Sequence, residues 1–335
     1  MIRLRYRTKL LLKRTLRFLL ITACVLLVAG VGILIYADSL MTYDENGAHF
    51  MGQFAQTEET LPTEPRPVVE NPIILEAQQE ALTMNIQDMG GYYITTSMLR
   101  DIEKTKAAVM NLQPCAVLLE LKSIYGNYYY SSKLSGAPKA DVDIAAIDAL
   151  IADLNAKGFY TIASIPAFVD PAYALEHQSS GLPLSSGALW MDDRGCYWLN
   201  PADDVVISHL MQIARDLSNH GFREVSFSHF YFPDSDRIVY SFKESKDEVL
   251  RQAAKELCDF FADDDFVVSF QTDSSNFPAD SINGRLYISN ADGNQVERFA
   301  QVYGSSESLQ ELVFLANSKD SRFENHAMLR PLLSE

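Results

Sequence analysis

The sequence has few cysteines, and none of them stands in a spacing typical of metal or redox sites. Of the four, Cys24 lies in an apolar N-terminal stretch, and Cys115, Cys196 and Cys258 are far apart along the chain. Three such thiols cannot complete a disulfide framework, and no CxxC or Cys/His ligand pattern occurs. We therefore predict neither a metal site nor a fold that depends on disulfides.

Positive charge is scarce beyond the first seventeen residues. Residues 1–17 contain seven lysines and arginines and no acid, whereas the whole chain of 335 residues has a net charge of −16. The remainder of the chain therefore carries about −23. Since no basic patch remains to neutralise phosphates, this composition argues against a nucleic-acid partner.

A glycine-rich nucleotide-binding turn is also missing. A dinucleotide-binding sheet places its glycines directly after the first strand. Here Gly90 and Gly91 stand at the start of the first strand of the folded part, "GYYITT", instead of after it. The sequence thus gives no reason to expect a nucleotide, and we predict no cofactor.

The N-terminal quarter of the chain is organised around one long apolar run. Residues 18–37 contain no charged side chain, and the first acid after them is Asp38. A helix of this length could cross a bilayer, so we predict a transmembrane signal anchor. The basic residues 1–17 would stay in the cytoplasm, and the rest would be extracytoplasmic at the cell membrane. A signal peptide cleaved near Ala37 is the alternative. Residues 38–79, acidic and with several prolines, are predicted to be a linker.

Residues 80–335 alternate β-branched or aromatic runs with amphipathic helices, which predicts an α/β fold. In the clearest unit, Asp143 caps a helix that ends at Gly158, and the strand Phe159–Ile165 follows at once. Such units fit a doubly wound sheet or a (β/α) TIM-type barrel, and the length and long loops favour the barrel. An eighth strand is not evident, so the barrel is predicted to be incomplete or closed in another way.

Carboxylates follow several of the predicted strands. In a parallel barrel the carboxyl ends of the strands converge, and glycosidic cleavage requires two acids at such a place. Glu120, Asp170 and Asp273 stand at these ends. The candidate catalytic acids are thus Glu120 with either Asp170 or Asp273. Separately, Ser97 is predicted to cap the first helix of the barrel.

Five segments, in this order, resemble one family: "GGYYITT", "AVLLELKSIYGNYYY", "ALIADLNAKGFYTIASIPAFVDP", "ALWMDDRGCYWLNP" and "GFREVSFSHFYFP". They are similar to the glycoside hydrolase-like domain of bacterial extracytoplasmic proteins, an uncharacterised family related to α-amylase-like TIM barrels. The resemblance covers a little over half of the folded part. It implies a barrel that acts on a glycan.

The sequence departs from the family pattern where chemistry is expected. The resemblance implies an acid where Ser228 stands, an arginine where Tyr231 stands, and an aspartate where Asn200 stands. An acid of the second strand is retained as Glu120, together with Lys122. Strand alternation points Ser228 into the barrel and the following residue, His229, towards the helices, so no Ser–His pair is expected.

Aromatic residues of two predicted loops are candidates for sugar stacking, because flat rings with polar edges suit sugar rings. Their alternative role is to fill a core beneath the loops. With the polar residues above, the candidate substrate-binding set comprises Lys122, Tyr125, Tyr128, Trp190, Trp198, Asn200, Ser228 and Tyr231.

Three functions from different classes remain open. One is hydrolysis of a cell-wall or cell-surface glycan, and another is a barrel without catalysis that binds a glycan or a protein partner. A passive spacer or assembly component is a third. The substituted positions favour binding, whereas the resemblance favours hydrolysis.

Overall fold

The computed structural model describes residues 41–44, 47–50, 90–134, 136–290, 292–304, 306, 311–316 and 320–333. The predicted cytoplasmic segment and membrane anchor lie outside these residues, as does most of the predicted linker. Across the described ranges, no helix is both long and apolar enough to cross a bilayer.

A short hairpin lies within the segment predicted to be a linker. Strands β1 (Met41–Asp44) and β2 (Gly47–Phe50) pair in antiparallel fashion. The hairpin belongs to a compact unit of its own, residues 1–70, and residues 71–335 make the second unit.

The second unit contains a closed barrel of eight parallel strands, in the order β10-β3-β4-β5-β6-β7-β8-β9. This confirms the TIM-type prediction and shows that the alternative of an incomplete barrel is wrong. Strand β10, missed in the sequence, closes the sheet by pairing with both β9 and β3. The barrel strands are β3 (Gly90–Ile94), β4 (Ala116–Glu120), β5 (Tyr160–Pro166), β6 (Glu224–Ser228), β7 (Val267–Thr272), β8 (Arg285–Ile288), β9 (Glu311–Leu315) and β10 (Ala327–Pro331).

Helices connect most of the strands and follow the capping rules. Asp143 caps its helix as predicted, since its carboxylate accepts a hydrogen bond from the Ala146 amide. Ser97 does not cap the first helix, because a short 3₁₀ turn intervenes and Asp101 accepts from the Lys104 amide instead. The helices are α1 (Ile102–Met110), α2 (Ile144–Ala156), α3 (Pro171–Glu176), α4 (Asp204–Asn219), α5 (Lys246–Phe260) and α6 (Val296–Tyr303).

Side-chain alternation along the strands divides the core into two layers. Val117, Leu119 and Phe227 belong to the large cluster between sheet and helices. Ala116 and Leu118 belong to the small cluster inside the barrel. The inward-facing side chains at the last positions of the strands therefore lie at the mouth of the barrel, at the carboxyl end of the strands.

An ionic network fills the opposite, amino-terminal end of the barrel. Glu224, whose side chain is 0% exposed, accepts hydrogen bonds from Tyr287 at 2.7 Å, Tyr160 at 2.9 Å and Arg285 at 2.6 Å. Glu311 lies 3.8 Å from the Arg285 Nε, and among the described residues its Oε1 atom has no hydrogen-bond partner. Burial raises the pKa of Glu311 to about 7, although the charge of Arg285 opposes this shift.

The raised pKa of Glu311 predicts how stability depends on pH. The folded protein holds this proton more tightly than the unfolded chain, whose glutamates titrate near 4.5. The resulting stabilisation is fully present below about pH 4.5 and is lost as the pH rises through 7. Glu311→Gln should flatten this slope and raise the free energy of unfolding at pH 8 by about 1–2 kcal/mol. Chemical unfolding at pH 5 and pH 8 measures both values, and unchanged slopes would contradict the prediction.

Candidate functional site

The mouth at the carboxyl end of the strands contains a cleft with two adjoining arms, which share Glu120 and Gln271. The wide arm has a volume of about 560 Å³, and the narrow arm about 310 Å³. Besides the shared pair, the wide arm is lined by Tyr93, Thr95, Met98, Leu118, Ser289, Asn290, Leu315 and Pro331. The narrow arm is lined by Thr96, Arg100, Lys122, Ser123, Ile124, Tyr125, Asn127, Tyr129, Ser164, Pro166, Ser228 and His229.

Glu120 occupies the junction of the two arms. It is the last residue of β4 and continues the inward row of Ala116 and Leu118. The amide of Thr96, two residues after the neighbouring strand β3, donates to Glu120 Oε2 at 3.0 Å. Among the described lining residues of both arms, Glu120 is the only acid. The predicted first acid therefore lies in the cleft.

Serines occupy the inward positions beside Glu120. Ser164 pairs with Glu120 in the register of β4 and β5, and its hydroxyl lies 3.4 Å from Gln271 Oε1. Ser226 and Ser228 face inward on β6, because Val225 and Phe227 pack in the helix-facing layer. Small side chains at these positions leave room above the barrel core. The cleft can thus reach down to the strands.

Ser228 and His229 contact each other. The prediction that these two residues do not form a pair is therefore wrong. Ser228 Oγ and His229 Nδ1 lie 3.2 Å apart. Strand β6 ends at Ser228, and His229 has a φ of 53°, so it does not continue the strand alternation. Instead of packing between strand and helix, His229 lines the narrow arm. Burial, assisted by the charge of Arg194, lowers the pKa of His229 to about 4, so the imidazole is neutral at pH 7.

Asp170 is held in a buried ion pair away from the cleft lining. Its Oδ2 pairs with Lys122 Nζ, and the two side chains are 3% and 0% exposed. Its Oδ1 accepts from the Tyr173 amide at 3.1 Å and so caps α3. Burial raises the pKa of Asp170, but the charge of Lys122 and hydrogen bonds from His209 and Lys122 lower it to about 2. Asp170 is therefore an ionised structural group next to the narrow arm.

The other polar candidates divide between the rim and its surroundings. Asp273 follows β7 and is exposed, and its charge acts on His229 and Tyr231. It does not line either arm. Asn200 accepts from the Ala202 amide at 3.1 Å just before α4, and it also lies outside the lining.

Most of the candidate aromatic residues lie beneath the surface. Tyr128 is 3% exposed and Trp198 2% exposed, and Trp190 packs edge-on against Trp198. These rings fill the core under the loops, which is the alternative left open by the sequence. By contrast, Tyr125 is 57% exposed and Tyr231 44% exposed, and Tyr125 lines the narrow arm. Tyr125 is the ring available to a ligand there.

Two residues that line the cleft were not predicted from the sequence. Arg100 ends the 3₁₀ turn after β3, and that turn has no distinct sequence pattern. Asn290 follows β8 with a φ of 57°, a left-handed conformation that asparagine tolerates better than most residues. Within the described residues, no group of three or more histidine, cysteine or acidic side chains could hold a metal ion.

At low sequence identity, the barrel fold is shared with a solved glucanotransferase, and two further structures show a weaker likeness. A cycloisomaltooligosaccharide glucanotransferase from Paenibacillus sp. is 11% identical with a TM-score of 0.52, covering 70% of this chain and 39% of that one. An exo-β-N-acetylglucosaminidase from Vibrio harveyi is 10% identical with a TM-score of 0.49, covering 68% and 41%. This chain thus spans about two fifths of each enzyme. A hypothetical protein from Ruminiclostridium thermocellum is 18% identical with a TM-score of 0.48, covering 54% and 96%.

Among curated proteins, none matches this chain. A family model does match, over residues 91–271, which is more than half of the sequence. The matched region runs from β3 to β7 and includes Glu120, Lys122 and Ser228. The resemblance found in the sequence is thereby confirmed, and the chain belongs to the family described as "Putative glycosyl hydrolase domain".

Proposed function

We propose that the barrel mouth binds a glycan and does not hydrolyse it by the two-acid route. The observation that carries this proposal is the lining of the cleft. Among the described residues that line it, Glu120 is the only acid. Both retaining and inverting hydrolysis normally require a second carboxyl group across the scissile bond. In this protein Ser228 occupies the position where the resemblance implies that acid.

The chemistry of the lining suits sugar hydroxyls. Thr95, Gln271, Ser289 and Asn290 offer hydroxyl and amide groups in the wide arm, and both groups donate and accept hydrogen bonds. Glu120 adds carboxylate oxygens at the junction, and a carboxylate can accept hydrogen bonds that are stronger than those between neutral groups. Together these groups can orient a sugar chain without forming a bond to it.

A hydrolase that uses Glu120 and Asp273 is the second candidate. It is supported by family membership and by the position of Asp273 directly after β7, at the same mouth. Asp170 does not serve in this role, since its carboxylate is committed to Lys122 and to the cap of α3.

Binding and turnover of a glycan array by the full-length chain, purified in detergent, separate the two candidates. We expect bound glycans to remain uncleaved, and Glu120→Gln to weaken their binding about tenfold through loss of a charge-assisted hydrogen bond. The exposed Glu103 on α1 supplies the matched control, and Glu103→Gln should leave affinity unchanged. New reducing ends that form with the native chain, but not with Glu120→Gln, would establish the hydrolase instead.

We also propose that residues 18–37 anchor the protein in the cell membrane and that the barrel is extracytoplasmic. The uncharged run and the basic residues before it support this arrangement. Protease added to intact cells should then digest the barrel, and protection of the barrel until the cells are lysed would contradict the topology.

A further inference from the structure

The two arms of the cleft differ in charge. The narrow arm contains the cations Arg100 and Lys122, whereas the described lining of the wide arm contains no lysine or arginine. Positive charge at this place is notable because the chain as a whole has a net charge of −16. We infer that the narrow arm accepts an acidic sugar unit, a uronate, and that the wide arm accepts a neutral one. This inference rests on the proposed glycan binding.

Arg100 provides the available charge. It is exposed, and within the described part of the chain no carboxylate forms an ion pair with it. A guanidinium group presents its N–H donors in a planar fork that matches both oxygens of a carboxylate. An unpaired arginine beside a cavity is therefore suited to the carboxylate of a uronate.

Lys122 contributes differently. Its charge is offset by Asp170, and its Nζ lies 4.9 Å from the centre of the Tyr128 ring. The Lys122 side chain is also 0% exposed, so its ammonium group is not presented to a ligand. The positive charge that selects an anion therefore comes from Arg100, and the buried pair of Lys122 and Asp170 supports the wall of the narrow arm.

Other groups in the narrow arm are compatible with an anion. His229 lines it as a neutral imidazole, and Asn127 and Thr96 add amide and hydroxyl groups. The exposed ring of Tyr125 offers an apolar face to the same sugar unit. Arg100 lines the narrow arm alone, whereas Glu120 lies at the junction, so the acidic group of the ligand is placed towards Arg100 and the neutral unit towards the wide arm.

The test uses an array that contains uronate-bearing oligosaccharides and the same oligosaccharides after reduction of their carboxyl groups to alcohols. We expect the full-length protein to bind the acidic members at least tenfold more tightly. Arg100→Gln should remove this preference while leaving affinity for the reduced forms unchanged. Arg223, which precedes β6 at the opposite end of the barrel, provides the control, and Arg223→Gln should keep the preference.

The outcomes separate a preference for uronates from glycan binding in general. Equal binding of acidic and reduced forms, or a preference that survives Arg100→Gln, overturns the uronate inference and leaves glycan binding intact. Binding of no glycan overturns the proposed function together with the inference. Since Arg100 is exposed, its replacement should not alter the melting temperature, which checks that the variant is folded.

Discussion

Glu224→Gln is expected to lower the free energy of unfolding by about 3–5 kcal/mol, because it removes the anion from a buried ionic network. The carboxylate of Glu224 is 0% exposed, and it receives hydrogen bonds from Arg285, Tyr160 and Tyr287. Glutamine keeps the volume but places an amide N–H₂ group among donors. Arg285 would then remain charged and mostly buried without its main partner. Urea unfolding at pH 7 of the full-length chain in detergent measures the loss.

Two further variants show whether the loss comes from the unpaired charge. Glu248→Gln removes a carboxylate that is 59% exposed and pairs with Arg251 on the surface of α5, so the loss should stay below about 1 kcal/mol. Adding Arg285→Met to Glu224→Gln removes the stranded cation and should recover part of the stability. A loss for Glu224→Gln no larger than that of the surface variant would show that the network does not hold the barrel end together.

Asp170→Asn is expected to cost about 3–5 kcal/mol for the same kind of reason at the other end of the barrel. The change leaves Lys122, whose side chain is 0% exposed, without a counter-ion. Asparagine still caps helices well, so the cap of α3 contributes little to the loss. Because the pKa of Asp170 is lowered to about 2, the pair stabilises the fold above about pH 4 and loses this effect as the pH falls through 2.

A matched cap isolates the ionic contribution. Asp143 also caps a helix, accepting from the Ala146 amide at 3.0 Å, but it is exposed and no ion pair of the described residues includes it. Asp143→Asn should therefore change the free energy of unfolding by less than about 0.5 kcal/mol. Equal losses at the two positions would mean that capping, and not the pairing with Lys122, is the role of Asp170.

These experiments also bear on catalysis. If Asp170→Asn abolished an activity, the loss of folded protein would have to be separated from the loss of an acid. Unfolding curves and activity measured on the same sample make that separation. Asp273→Asn, at an exposed position, should leave stability unchanged and so reports on chemistry alone.

The sequence predicted the repeating strand–helix units because each depends on local patterns. Asp143 and Gly158 bracket α2 as expected, and the strand after it is β5. Strand β10 was missed because its last two residues are an arginine and a proline, which break the apolar pattern of a strand. Its assignment depends on pairing with β9 and β3, which no local pattern reports.

The candidate site was predicted less completely, because its geometry depends on distant parts of the chain. Glu120 was found from its place at the end of a strand. The pairing of Lys122 with Asp170 joins residues that are 48 positions apart, and the burial of Trp198 depends on how two loops fold. The contact between Ser228 and His229 follows from one left-handed backbone angle, which the residue types do not specify.

The pairing of β10 with β3 has a consequence for biosynthesis. These strands lie at opposite ends of the barrel sequence, so hydrogen bonds around the ring can be completed only after residues 327–331 have been made. Until then β3 and β9 present unpaired edges to other chains. Contacts between such distant segments form slowly, and the interval before ring closure is the period in which newly made protein is most prone to aggregate.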